Sequence, residues 1–189
     1  MSSPVARIRT TSLVCASLIV WGAVSACTPR EETPSDTTTP AGAATATSPT
    51  LSDPQVADVA LTANSIDSAF GELALTKARS QAVKDFAQTM ITDHGGVNRQ
   101  AVELAQRLGV TPEDNDVSQQ LQTAADSART AMEALSGAAF DSAYIAREVA
   151  YHQAVLDALD QTLIPNAQNA ELRSLLEDVR PAFVAHLER

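Results

Sequence analysis

The sequence predicts an all-α fold, an antiparallel helical bundle of four long helices plus a shorter fifth. Three observations carry that prediction. From residue 51 onward, apolar residues recur at alternating spacings of three and four. Glycines and prolines mostly fall between these runs rather than within them. No stretch alternates with period two for long enough to form a strand.

Each element follows from local signals. Asp53-Pro54 reads as N-cap and first residue of a helix reaching about Lys77, with Val56, Val59, Ala63, Ile66, Phe70 and Leu73 on its stripe. A second helix runs from near Ser80 to Leu108-Gly109, its stripe including Val83, Ala87, Met90, His94, Val97, Ala101 and Leu104. "VTPEDND" breaks the chain, Asn115 or Asp116 caps a third helix, and Ser136-Gly137 ends it. The fourth spans about Ala139 to Leu163, with Ile145, Val149, His152, Leu156, Leu159 and Leu163 facing inward and Pro165 ending it. The fifth starts near Asn169 and carries Leu172, Leu175, Val179, Phe183 and His186, with Pro181 expected to kink it or start a new turn.

The N-terminal 50 residues have a different character. Arg7 and Arg9 precede a mostly apolar run, Leu13 to Val24, too short for a confident membrane span and read as an export signal. Val24-Ser25-Ala26-Cys27 resembles the lipobox of bacterial lipoproteins, in which the cysteine is lipidated and becomes the new N-terminus. Thr28 follows, and the lack of an Asp there resembles outer-membrane sorting toward the periplasm. Three regions are therefore expected: a signal peptide over 1–26, a Thr/Pro/Ala-rich flexible tether over 27–50, and a helical domain over 51–189.

Charge and cysteine content narrow the function. The chain carries 13 basic and 23 acidic residues, net −10. Losing residues 1–26 removes two arginines and no acid, leaving 11 against 23, or −12. An acidic domain without a basic cluster is a poor partner for nucleic acid or anionic lipid, so the expected membrane link is the acyl chains of Cys27 alone. With Cys15 in the signal and Cys27 lipidated, no thiol is left for a disulfide, a metal or nucleophilic catalysis.

The three histidines are more informative. His94, His152 and His186 each fall on the apolar stripe of a different helix. In an up-down bundle the second and fourth helices run the same way. His94 and His152 lie similar distances into them, both about 20 Å from one end at about 1.5 Å per residue. Asp93 and Asn98 neighbour His94, while Tyr144, Glu148 and Tyr151 neighbour His152. Gly95 and Gly96 weaken the second helix by roughly 1 kcal/mol each, which points to a compensating close approach, kink or ligand space.

"DFAQTMITDHGGVNRQAVELAQRLGV", "LSGAAFDSAYIAREVAYHQAVLDALD" and "VRPAFVAHLER" resemble the signature blocks of the bacterial family called domain of unknown function 4142. The resemblance covers about residues 53–188. It rests on Asp93-His94, on Phe140-Asp141 with Tyr144 and a later His152, and on Pro181 with His186. It implies a ferritin-like fold and a periplasmic or envelope location, and it supplies no activity. A helix-one acid aligns with Glu72, which reads as a solvated rim residue rather than a ligand.

Several chemistries remain to be weighed. Ferritin-like di-iron sites use Glu-x-x-His on two helices, and no Glu-x-x-His occurs in this chain, so an oxidoreductase is disfavoured. No phosphate loop and no Ser-His-Asp pattern is present, so the chain does not read as an enzyme. Two readings stay open. In the first, the protein is a non-catalytic binding or stress-related accessory module whose buried histidines each satisfy their own hydrogen bond. In the second, His94, His152 and His186 bind a single divalent metal, zinc or copper, with Asp93, Asp141, Tyr144 and Glu148 orienting them. The second requires the three rings to converge. The first predicts that they lie apart.

Overall fold

A computed structural model of the protein describes residues 50–189. The signal peptide, Cys27 and nearly all of the expected tether lie outside the described residues. Among the described residues the chain is entirely helical, and no helix is long and apolar enough to cross a membrane.

Helix α1 spans Asp53–Lys77, α2 Gln81–Leu108, α3 Asp116–Glu133 and α4 Gly137–Ala158. Helix α4 continues through a π-helical turn, Leu159–Leu163, and a last turn, Ile164–Asn166, before α5 at Ala170–Leu187. The bundle of helices read from the sequence is therefore present, with small shifts at its ends. Ser52, not Asp53, caps α1: its hydroxyl accepts from the Gln55 N–H while the Gln55 side chain accepts from the Ser52 N–H. Asp53 is thereby released to accept from the N–H groups of Gln168 and Asn169 at the entry to α5. Asn115 and Asn169 cap α3 and α5 as expected.

Two expectations, for proline and for glycine, are narrowed. Helix α5 runs unbroken through Pro181. The carbonyl its missing N–H leaves unpaired belongs to Glu177, and both residues are exposed, so water can satisfy it. Gly95 and Gly96 serve no close helix approach: a Cβ on either would meet only the Arg99 guanidinium, at 3.7 Å. The close approach is at Gly71, where a Cβ would lie 2.9 Å from Ile91 Cγ1 and 3.0 Å from the Ala87 carbonyl oxygen.

Cross-helix contacts fix the directions. Along α1 from Asn64 to Gly71, the partners on α2 run backward from His94 to Ala87. His152 and Asp160 on α4 meet His186 and Arg180 on α5 in reverse order. Asp93 and Arg107 on α2 meet His186 and Glu171 on α5 likewise. Helices α1/α2, α4/α5 and α2/α5 are thus antiparallel, and α2 and α4 run the same way.

Burial divides the interior in two. One apolar cluster gathers Val56, Val59, Leu104, Leu156, Leu159, Leu176 and Phe183; the other gathers Ile66, Phe70, Val83, Phe140, Tyr144 and Met132. Between them lies a polar layer with Asn64, Asp67, His94, Glu148, His152 and His186, all buried. Polar groups so far from water must be partnered, or they cost about 1–3 kcal/mol each, and their partnering defines the site.

Candidate metal centre

The three histidine rings converge. Ring centroids are 5.5 Å apart for His94 and His152, 5.3 Å for His94 and His186, and 5.1 Å for His152 and His186. One nitrogen from each lies within 4.8 Å of the others. The equal heights read from helix positions therefore hold, because α2 and α4 run parallel and α5 brings His186 back between them.

Their outer partners determine which nitrogen carries the proton. His152 Nδ1 is 2.9 Å from the Glu148 carbonyl oxygen, which can only accept, so Nδ1–H donates and Nε2 is bare in the neutral ring. His186 Nε2 is 3.0 Å from Asp93 Oδ2, so Nε2–H donates and Nδ1 is bare. His94 Nδ1 is 2.8 Å from Asn64 Oδ1. The Asn64 amide N–H is itself committed to the Ala60 carbonyl at 2.8 Å, which turns its oxygen toward His94 and leaves His94 Nε2 bare. Burial lowers the pKa of both His152 and His186, although Asp67 opposes this for the first and Asp93 for the second. Both rings are neutral at pH 7.

His152 Nε2 and His186 Nδ1 lie 3.1 Å apart. A proton on either nitrogen makes this an N–H···N hydrogen bond; with both nitrogens bare, a bound cation would be needed to hold the two lone pairs together. His94 Nε2 lies 2.7 Å from Asp67 Oδ2, the separation of an ion pair when the ring is protonated. Asp67 Oδ2 is also 3.6 Å from His152 Nε2. Zinc bonds of about 2.0–2.1 Å put tetrahedral donor atoms about 3.3 Å apart, and the separations of 2.7, 3.1 and 3.6 Å bracket that value. His94, His152 and His186 thus offer three converging nitrogens, and Asp67 Oδ2 lies beside those of His94 and His152.

The carboxylates beside it are of two kinds. Burial alone would raise the pKa of Asp67, but His94, Glu148 and His152 hold it well below the usual carboxylate range, so it remains an anionic donor. Glu148 is pushed up to about 9 by burial and by the charge of Asp67, so it is protonated at neutral pH. A second cation position beside Asp67 and Glu148 is taken by Arg147. Its Nη1 is 2.6 Å from Glu148 Oε1 and 3.5 Å from Asp67 Oδ1, and its guanidinium lies 3.4 Å from the Phe70 ring centroid and 4.4 Å from that of Tyr151.

The orienting residues read from sequence are only partly in place. Asp93 does orient an imidazole, but that of His186, not its neighbour His94. Glu148 orients His152 through its backbone carbonyl; its carboxylate oxygen Oε2 is 3.8 Å from Nδ1. Tyr144 is fully buried with an unpartnered hydroxyl, its ring stacked on Phe140 at 6.2 Å, and burial raises its pKa. Asp141 takes no part: its carboxylate accepts from the backbone N–H groups of Arg79 and Ser80 at the start of α2. Glu72 is exposed, and the buried acid of α1 is Asp67.

Sequence reasoning missed Asn64, Asp67 and Arg147. A signal was available: Asn64 and Asp67 are three apart on the flank of the stripe made by Ala63, Ile66 and Phe70, where an acid would be expected to face water. Ile145 and Val149, expected inside, are 38% and 53% exposed. Helix α4 is rotated so that Tyr144, Glu148 and His152 point inward, because Arg147 and Asp67 compensate the buried Glu148.

No curated protein and no solved structure matches the chain. A family profile does match, over residues 37–189, under the description "Domain of unknown function (DUF4142)". That span takes in all five helices and every residue of the His3Asp cluster, and the chain belongs to the DUF4142 family.

Proposed function

We propose that this protein binds one divalent transition-metal ion, zinc in preference to copper, through His94, His152, His186 and Asp67. The convergence of one nitrogen from each of His94, His152 and His186 within 4.8 Å carries the reading, with His152 Nε2 and His186 Nδ1 3.1 Å apart. The preference for zinc rests on the near-tetrahedral spacing of nitrogen and oxygen donors and on the absence of any sulfur ligand among them. The N-terminal sequence supports a lipid-anchored envelope protein that presents this centre on a tether, a setting that suits metal retention or handling better than turnover.

A second reading has its own observation. The 2.7 Å contact of His94 Nε2 with Asp67 Oδ2 would suit an ion pair that clamps α1 to α2 in a metal-free accessory bundle. Zinc titration of the full chain, alongside His94→Ala, His152→Ala and His186→Ala, separates the two. The metal reading expects one equivalent bound. Each substitution should weaken binding by more than the roughly 10–100-fold typical of orienting residues. The clamp reading expects no stoichiometric zinc, and only His94→Ala to lower the melting temperature strongly.

A further inference from the structure

The centre is buried but not sealed. His152 and His186 are 1% and 7% exposed, yet both reach the floor of a cleft of about 330 Å³ between the start of α2, the middle of α4 and the end of α5. The walls are apolar: Val83 and Phe86 from α2, Ile145 and Val149 from α4, and Leu187 from α5. Ile145 and Val149 are two of three large apolar side chains left exposed among the described residues, and both lie here. Two further groups are polar. Glu148, 98% buried and with Oε2 lacking a hydrogen-bond partner, and Arg189 complete the lining.

A polar floor with metal ligands, apolar walls and one peripheral cation select a ligand with a Lewis-basic head and an apolar body. Arg189 is the only basic side chain in the lining, which favours a monoanion over a phosphate. A carboxylate fits, with one oxygen for the metal and Arg189 as its counter-charge. The volume suits a molecule of on the order of ten non-hydrogen atoms. Zinc-like ions accept a fifth donor, so the four protein ligands do not preclude it.

We propose that this cleft admits a small aliphatic monocarboxylate, whose head adds to the bound metal and whose chain packs against Phe86, Ile145 and Val149. The inference rests on the metal reading above. It is tested with the full chain loaded with Co²⁺, whose visible ligand-field bands report coordination number, by titrating hexanoate and, separately, acetate. Hexanoate should shift the bands toward five-coordination and bind roughly tenfold or more tighter than acetate, because its extra methylenes leave water. Val149→Ala, which removes part of the apolar wall, should reduce that advantage. Cobalt bands that are present but indifferent to hexanoate, or equally sensitive to both acids, would overturn the cleft proposal alone. No cobalt bands at all would instead overturn the metal centre, and the cleft proposal with it.

Discussion

His152 Nε2 and His186 Nδ1 face each other across 3.1 Å, each ring having committed its other nitrogen to an acceptor, the Glu148 carbonyl and Asp93 Oδ2 respectively. In the metal-free protein a proton on one of the two nitrogens can hold the contact, and a bound metal ion would take that proton's place. Zinc should therefore raise the melting temperature, by roughly 8 °C at a free concentration about one hundred times the Kd. Chelation should reverse the shift. Calorimetric scans with zinc, with magnesium and with chelator check this; a shift common to both metals would point to surface binding.

Asn64 and Asp93 act through the rings they hold. Asn64→Leu frees His94 to rotate and change tautomer, and Asp93→Ala does the same for His186. Each should cost about 10–100-fold in zinc affinity. Asp93 is 45% exposed, so its removal should leave the melting temperature of the metal-free protein nearly unchanged. Competition against a chromophoric chelator measures the affinities. Asp141→Ala, which touches only the start of α2, serves as the control with unchanged affinity.

The pH dependence has two limbs of opposite sign. His152 and His186 have lowered pKa values in the fold, so the unfolded chain takes up protons first as pH drops below about 6.5. Their contribution is present above 6.5 and is lost on acidification. Glu148 is raised from 4.5 to about 9, so the folded state holds a proton that the unfolded state has released. Its contribution is full below 4.5 and is lost as pH rises toward 9. The metal-free protein should therefore lose stability between pH 7 and 9, with a slope of at most about 1.4 kcal/mol per pH unit. Denaturant melts across that range, with Glu148→Gln flattening the alkaline limb, provide the check.

The glycines make a paired prediction. Gly71→Ala drives a Cβ against the Ala87 carbonyl and Ile91, and should destabilise the α1–α2 pair by about 1–3 kcal/mol. Gly95→Ala and Gly96→Ala meet only a mobile arginine terminus and should stabilise α2, by roughly 0.5–1 kcal/mol each. Urea titrations of the three variants decide it. The opposite ordering would contradict the packing described for these helices.

How much of this was legible in the sequence differs between backbone and site. Helix existence and boundaries could be read because caps and breakers are local: Asn115, Gly109 and Asn169 each act within a few residues of themselves. The three histidines could be read because inward positions repeat with the helical period. Asp67, Asn64 and Arg147 could not, because their burial is compensated only across helices. Asp67 is an inward acid solely because His94, His152 and Arg147 arrive from α2 and α4. The rotation of α4 has the same origin. By hydropathy Ile145 and Val149 outrank Glu148 for the interior, and only the Arg147–Glu148–Asp67 network reverses that order.

The central claim is that one ion is held by three imidazoles and one carboxylate. X-ray absorption at the zinc edge on the purified full chain loaded with one equivalent addresses it most directly. Three imidazole nitrogens and one oxygen at about 2.0–2.1 Å are expected, with one imidazole fewer in His186→Ala. A shell of six oxygens, or a spectrum unchanged in that variant, would contradict it.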